Sequence, residues 1–280
     1  MLLKGKPLAD KNFKICEELI KLPGNQPHLY IYLLSADPAS EYYVNSVIKQ
    51  AQKLNILVTV DKEEKSESQL IQSITELNNN PNIHAIMAQK PLPKNINSNI
   101  IDQTIAPEKD IDGLHAINAG LMLQEKDCFL PCTAQAIIEM MDFYEISAEG
   151  KHVVVVGRSN IVGKPVANLL LYKQKNRNAT VTVCHSRTPN LSDFTKQADI
   201  LITAVGMPKL ITNDMIKEGV IIIDAGINEV LDQNNKSIYV GDVDFESCVE
   251  KCESITPVPG GVGSVTTSIL LKNLTMVSRC

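Results

Sequence analysis

The chain has no excess of basic residues, no long apolar run and no paired cysteine spacing. Lys and Arg number 27 against 32 Asp and Glu, a formal net charge of -5. Nucleic-acid domains usually carry a basic surface, so small molecules are expected as partners and nucleic acid is not. No stretch approaches the roughly 20 apolar residues of a membrane span. The amino terminus, MLLKGKPLADKNF, turns polar too soon for a targeting segment. No membrane association and a cytoplasmic location are expected. Seven cysteines, at 16, 128, 132, 184, 248, 252 and 280, are odd in number and lack the pairing of a disulfide scaffold or zinc site. Cys128 and Cys132, like Cys248 and Cys252, are four apart and could share a helical face, but no paired histidines accompany them. A reducing compartment and no metal site follow as expectations.

What is present is average and globular: 280 residues, 44% hydrophobic and 21% charged, enough for two α/β domains with buried cores. Short β-branched runs alternate with longer amphipathic stretches, and Gly, Pro and Asn mark the junctions. In the first half HLYIYLL, ILVTVD and HAIMAQ read as strands, while SEYYVNSVIKQAQKLN and SESQLIQSITELNNN read as helices. Such alternation favours a parallel sheet covered by helices. The segment from Pro107 to Pro131 has no strong period and carries the acidic pair Asp110 and Asp112, so it reads as a functional connection. A boundary is placed near Asn118. The second half runs HVVVVG, a helix from Val162 to Tyr172, ATVTVCH, a helix near Leu191, DILITAVG and VIIIDAG, which is Rossmann-like spacing. TPVPGGVGS follows near a predicted switch point, and then an apolar helix that is expected to return to the first domain. The expected domains are 1–118, completed by 265–280, and 119–264.

The strongest local signal is HVVVVGRSNIVGKPVANLL, where an apolar strand meets a glycine loop that opens a helix. Glycine lets the backbone approach phosphates, and a helix start offers N–H donors and a positive dipole end. The spacing departs from GxGxxG, because Ser159 stands at the second glycine position and the third glycine is displaced by one residue. A turn that only joins strand to helix would use the same glycines. After the next strand, an acidic residue would favour NAD, but the sequence here is HSRT. Ser186 and Arg187, with Arg158 after the first glycine, would instead welcome a ribose 2′-phosphate. NADP is therefore expected ahead of NAD. In the first half, Tyr43 and Val47 share a helical face, Gln89 ends a strand before KPLP, and Asp110 and Asp112 lie on the connection. An aromatic, an amide and a carboxylate at strand and helix ends could line a cleft; each taken singly is more often structural, and it is their combination with TPVPGGVGS that favours the cleft.

Taken in order, PASEYYVNSVIKQA, QKPLP, PEKDIDGLHAINAG, CFLPCT, VVGRSNIVGKP, CHSRT, DILITAVGMP, IIDAGIN, GDVDF and TPVPGGVGS resemble the methylenetetrahydrofolate dehydrogenase/cyclohydrolase family over nearly the whole chain. The resemblance implies an amino-terminal three-layer α/β folate domain, completed by the last helix, and a Rossmann-type NAD(P)-binding domain. It also implies an active cleft between the two, a homodimer, and tetrahydrofolate one-carbon derivatives as substrates. By position, Tyr43 would stack on the pterin, Asp112 would hold its amino-pyrimidine edge, and Gln89 would join them as a catalytic residue. Pro259, Gly260 and Gly261 would shape the folate and nicotinamide junction. Gly157, Arg158, Ser159, Ile161, Ser186, Arg187, Gly206 and Ile227 would follow the cofactor.

The departure that matters is Val47, because the family motif places a catalytic lysine four residues after the tyrosine. Lys49 is no substitute, since two residues along a helix rotate the side chain by roughly 200°. Lys90 stands where the family has leucine; strand alternation points it away from Gln89, so it reads as solvated unless the backbone turns at Pro91. Ser264 and Val265 replace a proline and a methionine. Hydride transfer chiefly needs alignment, whereas opening the ring with water needs proton transfers that valine cannot make. The expectation is an NADP-dependent methylenetetrahydrofolate dehydrogenase with weak or absent methenyltetrahydrofolate cyclohydrolase activity. The alternatives are a bifunctional enzyme with a relocated lysine and a non-catalytic folate- or nucleotide-binding paralogue.

Overall fold

The computed structural model describes residues 1–233 and 235–279. Asn234 and Cys280, the last of the seven cysteines, lie outside the described residues. In chain order the first elements are α1 (Lys6–Ile20), β1 (His28–Tyr32), α2 (Pro38–Lys53), β2 (Leu57–Asp61), α3 (Glu67–Asn78), β3 (Ala85–Ala88), α4 (Ser98–Thr104) and α5 (Ala116–Leu123). They are followed by α6 (Cys132–Phe143), β4 (His152–Val156), α7 (Gly163–Leu170), β5 (Thr180–Cys184), α8 (Leu191–Thr195), β6 (Ile200–Thr203) and β7 (Ile221–Asp224). Last come β8 (Asn228–Leu231), β9 (Ser237–Val240), α9 (Phe245–Cys248), β10 (Ser254–Ile255) and α10 (Val262–Val277). The chain forms two compact units, Asp10–Cys132 with Thr267–Cys280, and Met1–Ala9 with Thr133–Thr266.

The first of these is built on a parallel sheet of order β2-β1-β3. Its middle strand is covered on both faces: Leu29, Ile31 and Tyr32 are fully buried, while His28 and Tyr30 are half-buried. Leu70 and Ile74 of α3 and Ile101 of α4 share a core with Tyr32 and Ile86. On α2 the residues Ser40, Val44, Val47 and Ala51 recur at helical spacing and form its buried stripe. The last helix closes this unit, as expected from the sequence: Asn12 Nδ2 donates to Ser268 Oγ at 3.1 Å, and Asn273 Nδ2 to the Ile111 carbonyl at 3.1 Å.

The other unit carries a parallel sheet of order β10-β7-β6-β4-β5. The chain lays β5 on one side of β4 and β6 on the other, so the order reverses at β4 and the glycine loop leaves the sheet at that switch. TPVPGGVGS follows the edge strand β10 instead, which corrects its expected position. A two-residue strand is too short to show any period.

The observed division also departs from the expected one. Asn118 is buried and its amide donates to the Pro107 carbonyl at 3.1 Å and Asp110 Oδ2 at 2.9 Å. That ties α5 to the first unit, which runs on to Cys132. At the other end, the Leu3 N–H donates to the Ile255 carbonyl at 2.9 Å and the Ile255 N–H to that of Met1 at 3.1 Å. The first residues thus extend the β10 edge. The connection from Pro107 to Pro131 is not irregular throughout, since it contains α5. Neither α1, α6 nor the antiparallel β8–β9 ribbon was anticipated.

Asn273→Ala should leave the buried Ile111 carbonyl with only the weak Cys132 thiol donor at 3.4 Å and cost about 1 kcal/mol. Chemical denaturation reads this directly, and an unchanged midpoint would contradict it.

Candidate active site

Of the residues expected on the folate side, Tyr43 and Val47 lie within α2, Gln89 follows β3 and Asp112 lies on the connection before α5. Asp37 caps α2 by accepting the Ser40 N–H at 2.8 Å, and Pro38 opens the helix with φ already suited to it. This places Tyr43 half-buried, one turn before a wholly buried Val47. Lys49 is exposed on another face, as its spacing required. The Gln89 N–H extends the β3 ladder to the Tyr32 carbonyl at 2.9 Å, while its side-chain amide donates to the Lys90 carbonyl at 2.9 Å. Ser40 Oγ donates to that same carbonyl at 2.8 Å, and the Lys90–Pro91 peptide is cis.

Lys90 is not the solvated side chain expected of it. Its ammonium donates to Asp102 Oδ2 on α4, and the pair is largely withdrawn from water, with side-chain exposures of 32% and 10%. Asp102 was missed because a single acid in NIIDQT looks like a solvated helix position.

Asp112 lies beside the start of α6, where its Oδ1 accepts the Cys132 N–H at 3.3 Å. Burial pushes its carboxyl up to about 6, Asp110 adds to the rise, and Cys132 and the Lys90 ammonium oppose it. Burial raises the Tyr43 phenol well above its ordinary value, with Asp112 and then Cys132 contributing. Tyr43, Asp112 and Lys90 therefore share one electrostatic neighbourhood. Asp110 acts differently, accepting the His115 N–H at 2.7 Å and the Asn118 amide at 2.9 Å and so fixing the turn.

The cofactor-side residues occupy the other unit. Gly157, at φ 130°, ends β4, and a Cβ there would lie 2.4 Å from the Ala204 carbonyl oxygen. A Cβ on Gly163 would lie 2.1 Å from the Gly157 oxygen. Only glycines let the strand, the loop and α7 come this close. Ser159 changes one expectation. Its hydroxyl accepts the Val162 N–H at 3.1 Å, and its carbonyl accepts that of Lys164 at 3.1 Å. Some donors at the helix start are thus already engaged, and a phosphate would rely more on the loop itself.

Arg158, Ser159 and Ile161 are exposed on this loop. After β5 the His185 ring folds back to accept the Arg187 N–H at 3.1 Å, and Thr188 Oγ1 accepts the His185 N–H at 2.9 Å. That turn presents Ser186 and Arg187 to solvent. Close backbone approach and two exposed guanidinium groups fit a phosphorylated dinucleotide. Gly206 and Ile227 are exposed at the ends of β6 and β7. In the same unit the Gly5 N–H donates to the Gly260 carbonyl at 2.8 Å, and Ser264 Oγ to that of Gly261 at 2.9 Å, so the loop of Pro259, Gly260 and Gly261 is held at both ends.

Among the described residues, no group of three or more His, Cys, Asp or Glu side chains is arranged to hold a metal ion. Nor is any described helix long and apolar enough to cross a membrane.

Residues 3–112 match a family described as tetrahydrofolate dehydrogenase/cyclohydrolase, catalytic domain, and residues 131–279 match its NAD(P)-binding domain. The bifunctional protein FolD of Chlamydia felis is 45% identical across 98% of this chain and 96% of its own. The FolD crystal structure from Campylobacter jejuni has a TM-score of 0.91 at 40% identity, covering 99% of this chain and 98% of that one. The methylenetetrahydrofolate dehydrogenase-cyclohydrolase of Trypanosoma brucei, solved with NADP and an inhibitor, has a TM-score of 0.92 at 35% identity, covering 99% and 97%.

The raised Asp112 carboxyl has a signed consequence for stability. Its folded value exceeds the unfolded one of about 3.9, so the folded chain binds more protons between about pH 4 and pH 6. Its contribution to stability therefore falls as pH rises through that window. Asp112→Asn should remove this part of the slope in unfolding free energy measured against pH. A slope left unchanged or made steeper would contradict the assignment.

Proposed function

Because the chain belongs to the tetrahydrofolate dehydrogenase/cyclohydrolase family, we propose that it oxidises 5,10-methylenetetrahydrofolate to the methenyl form with NADP, and hydrolyses the methenyl product only weakly or not at all. The observation that carries the second half is Val47, aliphatic and fully buried one turn from Tyr43. It can neither carry a proton nor polarise water.

In this reading Tyr43 supplies an aromatic face for the pterin, and Asp112 accepts hydrogen bonds from its donor-rich edge. Gln89, at the end of β3, borders the reacting bridge, and Pro259, Gly260 and Gly261 shape the junction with the nicotinamide. Gly157 admits the cofactor backbone, with Ser159, Ile161, Gly206 and Ile227 along its path. Arg158, Ser186 and Arg187 meet the 2′-phosphate, and the two guanidinium charges favour NADP over NAD. NADP supplies the hydride acceptor when bound. The folate nitrogens stabilise the cation that remains, so what the protein must provide is alignment, an orientation effect that needs no lysine. Water attack and ring opening do need proton transfers.

A second reading, a bifunctional enzyme with a relocated lysine, is favoured by one observation: the Lys90 ammonium is among the charges acting on Asp112. Its ion pair with Asp102 weighs against a free proton carrier. A non-catalytic paralogue is disfavoured by the intact glycine loop. The same reading includes a cytoplasmic location and a homodimer, for which the β8–β9 ribbon offers the exposed Leu231 and Ile238.

Val47→Lys separates the readings. It should raise methenyl hydrolysis on the order of 100-fold, while NADP reduction changes little and stays faster than NAD reduction. No gain in Val47→Lys, joined by loss of hydrolysis in Lys90→Leu, would instead support the relocated lysine.

A further inference from the structure

Beneath the loop that follows β6 lies a carboxylate whose role is not readable from its neighbours in the chain. Asp242 is wholly buried. Its Oδ2 accepts the Val205 N–H at 2.6 Å and the Gly206 N–H at 3.3 Å, and its Oδ1 accepts the Met207 N–H at 2.9 Å. The Asn228 amide adds a fourth donor to Oδ1 at 3.0 Å. Three consecutive backbone N–H groups therefore converge on one anion, and the fourth donor comes from the start of β8, just after the β7 loop. The fit is tight enough that a Cβ on Gly226 would lie 2.2 Å from Asp242 Cγ.

Such charge-assisted hydrogen bonds in a dry site are strong and directional. They determine where this loop can lie, and the loop abuts the glycine turn: the Ala204 N–H donates to the Val156 carbonyl at 2.9 Å, and Val205 Cγ1 would be 3.6 Å from a Cβ on Gly157. Asp242 itself, with no exposed surface, cannot touch a bound molecule.

We propose that Asp242 is a positioning residue for the nicotinamide half of the cofactor, pinning Val205–Met207 and Asn228 so that Gly206 and Ile227 border the ring. The proposal rests on reading the Gly157 loop as the NADP site. Arg158, Ser186 and Arg187 would hold the adenosine end independently of Asp242, which makes the two halves separable.

Asp242→Asn keeps the side-chain shape but turns an NH2 group toward two of the four donors. Calorimetric titration with NADP and with adenosine 2′,5′-bisphosphate reads each half. NADP should weaken on the order of tenfold, about 1.4 kcal/mol, and the bisphosphate should keep its wild-type affinity. Asn228→Ala, which removes a single donor, should shift NADP in the same direction by less, and it decides alone if Asp242→Asn does not fold. Equal weakening of both ligands, as a general structural role would give, overturns the proposal, as does unchanged NADP affinity. Wild-type protein that binds neither ligand would sink the cofactor reading itself, and this proposal with it.

Discussion

An added carbon on Gly163 would sit 2.1 Å from the Gly157 oxygen, and this exclusion sets the geometry of the cofactor half. The first turn of α7 can press against the end of β4 only because neither residue has a side chain there. The same closeness brings the loop after β6 alongside, where Asp242 fixes its N–H groups from below. With β5 and β6 on opposite sides of β4, the reversal of strand order opens a crevice at this turn, where dinucleotides bind in such sheets. Arg158 and Arg187 are exposed on the loops that follow β4 and β5.

The folate half is organised differently, by burial of acids and not by absence of side chains. Asp110 spends its oxygens on the His115 and Asn118 donors, and so shapes the turn that presents Asp112. Burial raises both carboxyls, and Asp112 accepts one backbone N–H, from Cys132. Where a lysine would complete the family pattern, Val47 extends an apolar stripe. The positive charge nearest in kind, Lys90, is committed to Asp102. Alignment and proton transfer are separable demands, and the proposed loss falls on the second alone.

Most strands and the helices α2, α3 and α10 were legible because their patterns are strong: HVVVV and HLYIY are apolar with little break, and α2 repeats its stripe at 40, 44, 47 and 51, whereas α1 and α6, though long, were not read. Less was legible where period is short or tertiary. The eight residues of α5 with Gly120 inside them, the two of β10, and the pairing of Met1 and Leu3 with Ile255 left no local mark. In the proposed site, motifs supplied the candidates: Tyr43, Gln89 and Asp112 on one side, Gly157, Arg158 and Arg187 on the other. They did not supply the supports. Asp102, Cys132 and Asp242 act through partners 12, 20 and 35 to 37 positions away, and GDVDF could be quoted without saying what its first aspartate holds.

Wild-type protein supplied with NADP and 5,10-methylenetetrahydrofolate shows whether oxidation and hydrolysis have come apart in this chain, as we propose. Following reduced cofactor and the folate products together should show methenyltetrahydrofolate accumulating as NADPH forms, with 10-formyltetrahydrofolate appearing only at the uncatalysed rate. Formyl product keeping pace with NADPH, and no methenyl intermediate building up, would contradict the account.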